Sequence, residues 1–125
     1  MKTVNTDKAP AAIGPYSQAI ISGGFVFTSG QIPVDPATGV IAGETIVEQA
    51  KQVMANLQVV LAAAGTTPER TVKTTCFLAD MADFAAFNEI YAQTFTSKPA
   101  RSCVAVRTLP KGVLCEVEVI AEVED

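Results

Sequence analysis

Cys115-Glu116-Val117-Glu118-Val119-Ile120-Ala121-Glu122-Val123 is the stretch that decides the fold class. Side chains along an extended strand point alternately to two faces, so a period of two marks a strand with one buried side. Cys115, Val117, Val119, Ala121 and Val123 share one side, Glu116, Glu118 and Glu122 share the other, and Ile120 alone breaks the rule. The strand is predicted over Val113 to Val123, entered from a turn at Pro110-Lys111-Gly112. Working back along the chain, Ser102 to Val106 and the β-branched run Thr71 to Leu78 read as two further strands. Gly23-Gly24 separates the apolar runs Gln18 to Ser22 and Phe25 to Ser29 and reads as a hairpin turn, whose two central residues need positive φ. Asp35-Pro36 through Thr38-Gly39 is punctuated as an exposed turn.

Two helices lie between the strands. Thr45 followed by Glu48 makes a capping box, and Val47, Ala50, Met54, Leu57, Leu61 and Ala64 recur at helical spacing behind it. Glu48, Lys51, Gln52 and Gln58 avoid that face, and Gly65 stands where a left-handed C-terminal cap belongs. The second helix is predicted from about Asp83, its N-cap, to Phe95, with Phe84, Phe87, Tyr91 and Phe95 on one face. The order is therefore ββαβαββ: one α+β domain over residues 1–125, a mixed sheet with two helices on one face. Two helices cover one side of such a sheet, so its other side is expected to meet solvent or another copy of the chain.

Composition removes many functions. The chain of 125 residues has no histidine, which excludes Ser-His-Asp and Cys-His relays and imidazole zinc sites. Nine Lys and Arg against thirteen Asp and Glu leave a net charge of −4, the wrong sign for non-specific nucleic-acid binding. Three cysteines cannot make an all-cysteine zinc site, and an odd number does not suggest a secreted disulfide framework. No apolar leader or membrane-length stretch is visible, and no phosphate loop, dinucleotide fingerprint or Ca²⁺ loop is present. The expectation is a reduced, soluble, cytoplasmic protein without cofactor or metal, binding neither nucleic acid nor membrane.

The residues that could carry chemistry are few. Arg101, in Pro99-Ala100-Arg101-Ser102-Cys103, stands at the start of a strand and could grip a carboxylate through its planar fork. Spacing alone favours the plainer reading, a surface arginine at a strand end. Cys103, two residues on, points to the same side; packing is a commoner fate for it than nucleophilic catalysis. Glu116 could orient or deprotonate water, although alternating glutamates usually mean a solvated strand face. Tyr16, in Gly14-Pro15-Tyr16-Ser17, could offer a phenolic hydrogen bond or simply anchor a turn. Ser29-Gly30-Gln31 could present backbone groups to a ligand, or mark only a strand end.

Taken together, Ala11-Ala12-Ile13-Gly14-Pro15-Tyr16-Ser17-Gln18-Ala19, Thr28-Ser29-Gly30-Gln31-Ile32-Pro33 and Val72-Lys73-Thr74-Thr75 resemble the Rid (reactive intermediate deaminase), or YjgF, family. Asp83-Phe84 with Asn88 and Tyr91, Pro99-Ala100-Arg101-Ser102-Cys103, Leu109-Pro110-Lys111-Gly112 and Glu116-Val117-Glu118 continue the resemblance, which is nearest to its RidA-like branch. The resemblance implies a chorismate-mutase-like fold in a homotrimer, with sites in clefts between subunits. It implies a 2-iminobutanoate/2-iminopropanoate deaminase that hydrolyses enamine and imine intermediates such as 2-aminoacrylate to 2-keto acids and ammonia, without cofactor. Arg101 and Glu116 would be its catalytic residues, and Tyr16, Ser29, Gly30, Asn88, Arg101 and Cys103 would bind substrate. The segment Thr96-Ser97-Lys98 departs from the family in being short, with Lys98 where an aromatic residue is common. A non-catalytic carboxylate-binding protein, a ribonuclease or translation inhibitor, and a chorismate mutase are the competing functions.

Overall fold

The computed structural model describes residues Met1–Glu124. Its strands are β1 (Lys2–Val4), β2 (Ala19–Ser22), β3 (Phe25–Thr28), β4 (Thr71–Leu78), β5 (Ala100–Ala105) and β6 (Cys115–Glu122). The helices are α1 (Ile46–Ala63), between β3 and β4, and α2 (Phe84–Thr94), between β4 and β5. The strands form one sheet in the order β1-β2-β3-β6-β4-β5, in which only β4 and β5 run parallel. The mixed sheet is as expected; the element order gains one strand. Lys2–Val4 pairs with Ala19–Ile21 on the outer edge of the hairpin, and three residues are too short to show a period.

β6 behaves as its alternation demands. Cys115, Val117, Val119 and Ala121 are buried beneath the helices, whereas Glu118 and Glu122 are exposed on the other face and Glu116 and Ile120 are half-buried there. The strand is two residues shorter at its start than predicted and one shorter at its end, because Pro110–Gly112 forms a 3₁₀ turn with Lys111 at φ 57°.

The capping box of α1 is present in full: Glu48 N–H donates to Thr45 Oγ1 at 3.2 Å, and Thr45 N–H donates to the Glu48 carboxylate at 3.2 Å. Gly65 follows the helix at φ 85°, as the left-handed stop requires. The apolar face is rotated slightly from the predicted one. Val47 is exposed, while Ile46, Val53 and Val60 are buried with Ala50, Met54, Leu57 and Leu61. Asp83 precedes α2 but makes no side-chain cap; Asp80 instead caps a 3₁₀ turn, Met81–Asp83, that leads into the helix. Phe87 and Phe95 of the predicted face are among the largest fully buried side chains. No helix among the described residues is long and apolar enough to cross a membrane.

Buried amides tie the loops to this core. Gln18 is only 2% exposed. Its Oε1 accepts from Thr6 N–H at 2.7 Å, and its Nε2 donates to the carbonyls of Thr6 at 2.9 Å and Pro10 at 2.8 Å. Asn56, on α1, likewise donates to the carbonyls of Ile32 at 3.2 Å and Val34 at 3.0 Å. Truncating Gln18 strands three backbone groups, each worth about 1 kcal/mol or more when left unpaired. Gln18→Ala is expected to lower stability by about 3 kcal/mol in urea titrations at fixed protein concentration. The exposed Gln58→Ala, as the control, is expected to change it by less than about 0.5 kcal/mol.

Candidate active site

Arg101 is placed by the parallel pairing of β5 with β4, which sets it beside Thr74 and sets Cys103 beside Cys76. Both side chains project to one side, as their spacing predicted, and that side is the helical layer. There Arg101 meets α2. Its Nη1 donates to Asn88 Oδ1 at 2.7 Å, and its guanidinium carbon lies 4.7 Å from the centre of the Tyr91 ring and 5.4 Å from that of Phe84. Phe84, Asn88 and Tyr91 follow i, i+4, i+7 spacing and so share one helical face. Tyr91 is itself fixed: its hydroxyl shares a 2.7 Å hydrogen bond with Thr74 Oγ1, and its ring packs on Phe87 and Phe95. Burial pushes its phenol pKa up, so it stays neutral.

A guanidinium in this setting is oriented and half-buried. Among the described residues the one ion pair is Arg70 with Glu124 at 3.6 Å, so Arg101 has no acidic partner. Stacking on two rings and a neutral amide acceptor hold the fork without neutralising it, which leaves it free for a planar anion. It borders a cleft of about 300 Å³ together with Asn88, Tyr91, Phe95, Lys98 and Pro99.

Cys103 is half-buried near this cleft. Burial raises its thiol pKa, and the opposing pull of Arg101 does not reverse the shift. Cys76 and Cys115 are pushed up to about 12, mainly by burial. None of the three has the depressed pKa that makes a cysteine a nucleophile, which agrees with packing as the plainer reading of Cys103.

Glu116 sits elsewhere. Its neighbours on β6, Cys115 and Val117, face the helices, so its own side chain leaves the opposite face of the sheet, in register with Phe77 of β4. The carboxylate lies against the backbone of Gly30, where any Cβ would overlap Glu116 Oε2. This close approach is the reason for glycine at that position. Burial holds the Glu116 carboxyl above the ordinary 4.5, and the charge of Glu118 adds to the shift.

Around Gly30 the backbone is tightly tied. Ser29 N–H donates to Gln18 O at 2.9 Å, Ser29 Oγ donates to Ser17 O at 2.6 Å, and Gln31 N–H donates to Val117 O at 2.8 Å. Gly30 makes no backbone hydrogen bond among the described residues. Tyr16 ends a turn closed by its own N–H on Gly14 O at 2.9 Å, and the residue is 54% exposed. With Gly30, Gln31, Ile32, Pro110 and Lys111 it borders a second cleft, of about 580 Å³.

The predicted residues thus fall into two groups. Arg101 meets Asn88 on the helical side of β5, with Cys103 on the same side, whereas Gly30 lies against Glu116 of β6, next to Ser29 in the chain, and borders the second cleft with Tyr16. One chain does not bring them together. Reading the sequence missed the stacking of Phe84 and Tyr91 on Arg101, although their spacing with Asn88 was the signal. It also missed Gln18, which anchors the segment leading to Tyr16. No group of His, Cys, Asp or Glu able to hold a metal ion occurs among the described residues.

Comparison with known proteins places this geometry. The family described as Endoribonuclease L-PSP matches residues 6–123. A RutC family protein of Synechocystis sp. is 56% identical over 124 residues, covering 97% of this chain and 95% of that one. The 2-iminobutanoate/2-iminopropanoate deaminase of Salmonella typhimurium is 50% identical over 124 residues, covering 96% of each. The crystal structure of Escherichia coli TdcF with bound serine superposes with a TM-score of 0.94 at 44% identity, over 99% of this chain and all of that one. With a match that takes in both groups of residues, the chain belongs to the Endoribonuclease L-PSP family, the Rid or YjgF family that its motifs resemble.

Proposed function

We propose that the protein hydrolyses 2-imino acids, with 2-iminobutanoate and 2-iminopropanoate as substrates, to 2-keto acids and ammonia. The observation that carries this reading is Arg101, a fixed guanidinium without a counterion at the wall of a cleft. A bound amino acid in the TdcF structure and a named imine deaminase among the relatives support a carboxylate-bearing ligand.

Arg101 and Glu116 belong to opposite faces of one sheet, so they act on one substrate only if Glu116 of one copy abuts Arg101 of another. Such head-to-tail contact gives a ring when the rotation between copies closes, and we take that ring to be a homotrimer. Phe27 and Val104, 44% and 47% exposed on the sheet face away from the helices, supply apolar area for the contact.

In this site Arg101 clamps the substrate carboxylate and fixes the adjacent C=N carbon. Glu116 takes a proton from water as the oxygen bonds to that carbon and passes it to the imine nitrogen, giving a carbinolamine. It then takes the carbinolamine hydroxyl proton and delivers it to nitrogen as the C–N bond breaks, releasing ammonia and leaving the keto acid. A carboxyl with a raised pKa suits both steps, being less reluctant to hold the proton between them. Gly30 lets the carboxylate lie close to the backbone, and Tyr16 closes the cleft. Water is the only co-reactant. The endoribonuclease of the family's description has less behind it here, since the chain carries a charge of −4 and no histidine.

Keto-acid release from 2-aminoacrylate, generated in situ by a serine dehydratase, tests the reading. Wild type is expected to outpace spontaneous hydrolysis, and Arg101→Ala to lower kcat/KM by about 100-fold while light scattering shows an unchanged assembly. If wild type adds nothing to the spontaneous rate across several imino acids, the protein is a carboxylate binder and not a deaminase.

Glu116 works as a base only when ionised, so catalysis is expected to fall as pH drops through its pKa, with a midpoint above 4.5. That acid limb disappears in Glu116→Gln. The same raised pKa means that the folded state holds this proton more firmly than the unfolded one, so Glu116 lowers stability as pH rises from 4.5 through its folded value. Glu116→Gln is therefore expected to raise Tm above that window while its residual turnover is low and flat with pH. Gly30→Ala separates position from charge: the added methyl meets the end of a flexible side chain, so the fold survives while kcat drops by about 100-fold.

A further inference from the structure

Among the described residues, two other than glycine have positive φ, Lys98 at 56° and Lys111 at 57°. Lys98 sits in the turn between α2 and β5, where its N–H reaches Phe95 O at 3.3 Å. Left-handed backbone disfavours a Cβ by about 1–2 kcal/mol, and glycine or asparagine would fit with less strain. Strain of this kind is concentrated where a side chain has work to do. Lys98 borders the same small cleft as Arg101, and no acidic side chain is among the described residues that line it. Lys98 makes no ion pair among the described residues. The cleft therefore carries two cations and no anion of its own, in a protein whose net charge is −4.

We propose that Lys98 is a specificity residue that favours substrates with a second, distal carboxylate, namely the 2-imino dicarboxylic acids formed from acidic amino acids. The inference rests on the deaminase reading above and names a substrate class for the same site. Arg101 has the rigid fork that suits the carboxylate next to the reacting carbon, where geometry must be fixed. Lys98 has a mobile point charge that suits a carboxylate on a flexible arm. The remaining wall, Tyr91, Ala92 and Phe95, would pack on the methylene carbons between them. The oxidation of an acidic amino acid at its Cα–N bond is the class of reaction that would supply such a substrate.

The test uses Lys98→Asn, which removes the charge and tolerates left-handed backbone, and Lys98→Arg, which restores the charge. Imines are generated in situ by amino-acid oxidases from aspartate and from alanine. The ratio of kcat/KM for the dicarboxylic over the monocarboxylic imine is expected to fall about fivefold in Lys98→Asn and to recover in Lys98→Arg. The wild-type ratio should also shrink as salt is raised. In parallel, calorimetry compares oxaloacetate with pyruvate as ligands, which needs no turnover. Turnover with both ratios unchanged in Lys98→Asn overturns the role of Lys98 and leaves the deaminase standing. No turnover by wild type, with the affinity ratio still reduced in Lys98→Asn, overturns the deaminase and keeps the second-carboxylate subsite.

Discussion

The placement of β6 between β3 and β4 is the constraint on which the rest depends. A strand in the middle of a sheet bonds on both edges, so its backbone can neither shift nor twist away without breaking two ladders. Its side chains then have to leave on alternate faces. Cys115, Val117, Val119 and Ala121 complete the core under α1 and α2, and Glu116 is delivered to the opposite side within one residue of that core. The neighbouring strands inherit the same parity through their register, which sends Arg101 to the helices and Val104 away from them. The separation of Arg101 from Glu116 is thus a property of the pleat, not of any loop.

The electrostatic character of the two groups follows from what surrounds each. Arg101 is stabilised by ring faces and an amide oxygen, contacts that tolerate a charge without cancelling it. Glu116 has the reverse problem: burial and Glu118 both disfavour its charge. A cation left uncompensated and an anion made reluctant would relieve each other if brought close, with a carboxylate and a proton in flux between them. The cysteines take no part in this balance, since burial keeps their protons in place.

Much of this was legible in the residues. The alternation of β6, the capping box of Thr45 and Glu48 and the Gly-Gly hairpin are local patterns, and each appears where it was expected. What stayed hidden depends on partners distant in sequence. Gln18 and Asn56 look like surface amides in any window of neighbours, and only the carbonyls of Thr6, Pro10, Ile32 and Val34 explain their burial. Lys2–Val4 is a strand because Ala19–Ile21 offers it an edge. Val47 was placed inside α1 by its spacing, but the actual face is centred on Val53, Leu57 and Val60. For the site, spacing shows that Arg101 and Cys103 share a side. Whether Glu116 lies on that side or the other could not be read, because that depends on strand register.

The strand that occupies the centre of the sheet is also the last of the six to be synthesised. Phe25 of β3 pairs with Glu122 of β6, and Leu78 of β4 pairs with Cys115, so no strand pairing joins β1–β3 to β4–β5 until residues 115–122 arrive. Without β6 the sheet is two pieces, each with an unpaired inner edge, and such edges recruit strands from other chains. Loop closure of this span also makes the decisive contacts slow ones. The sheet is completed only when the last of its six strands fills the gap between β3 and β4.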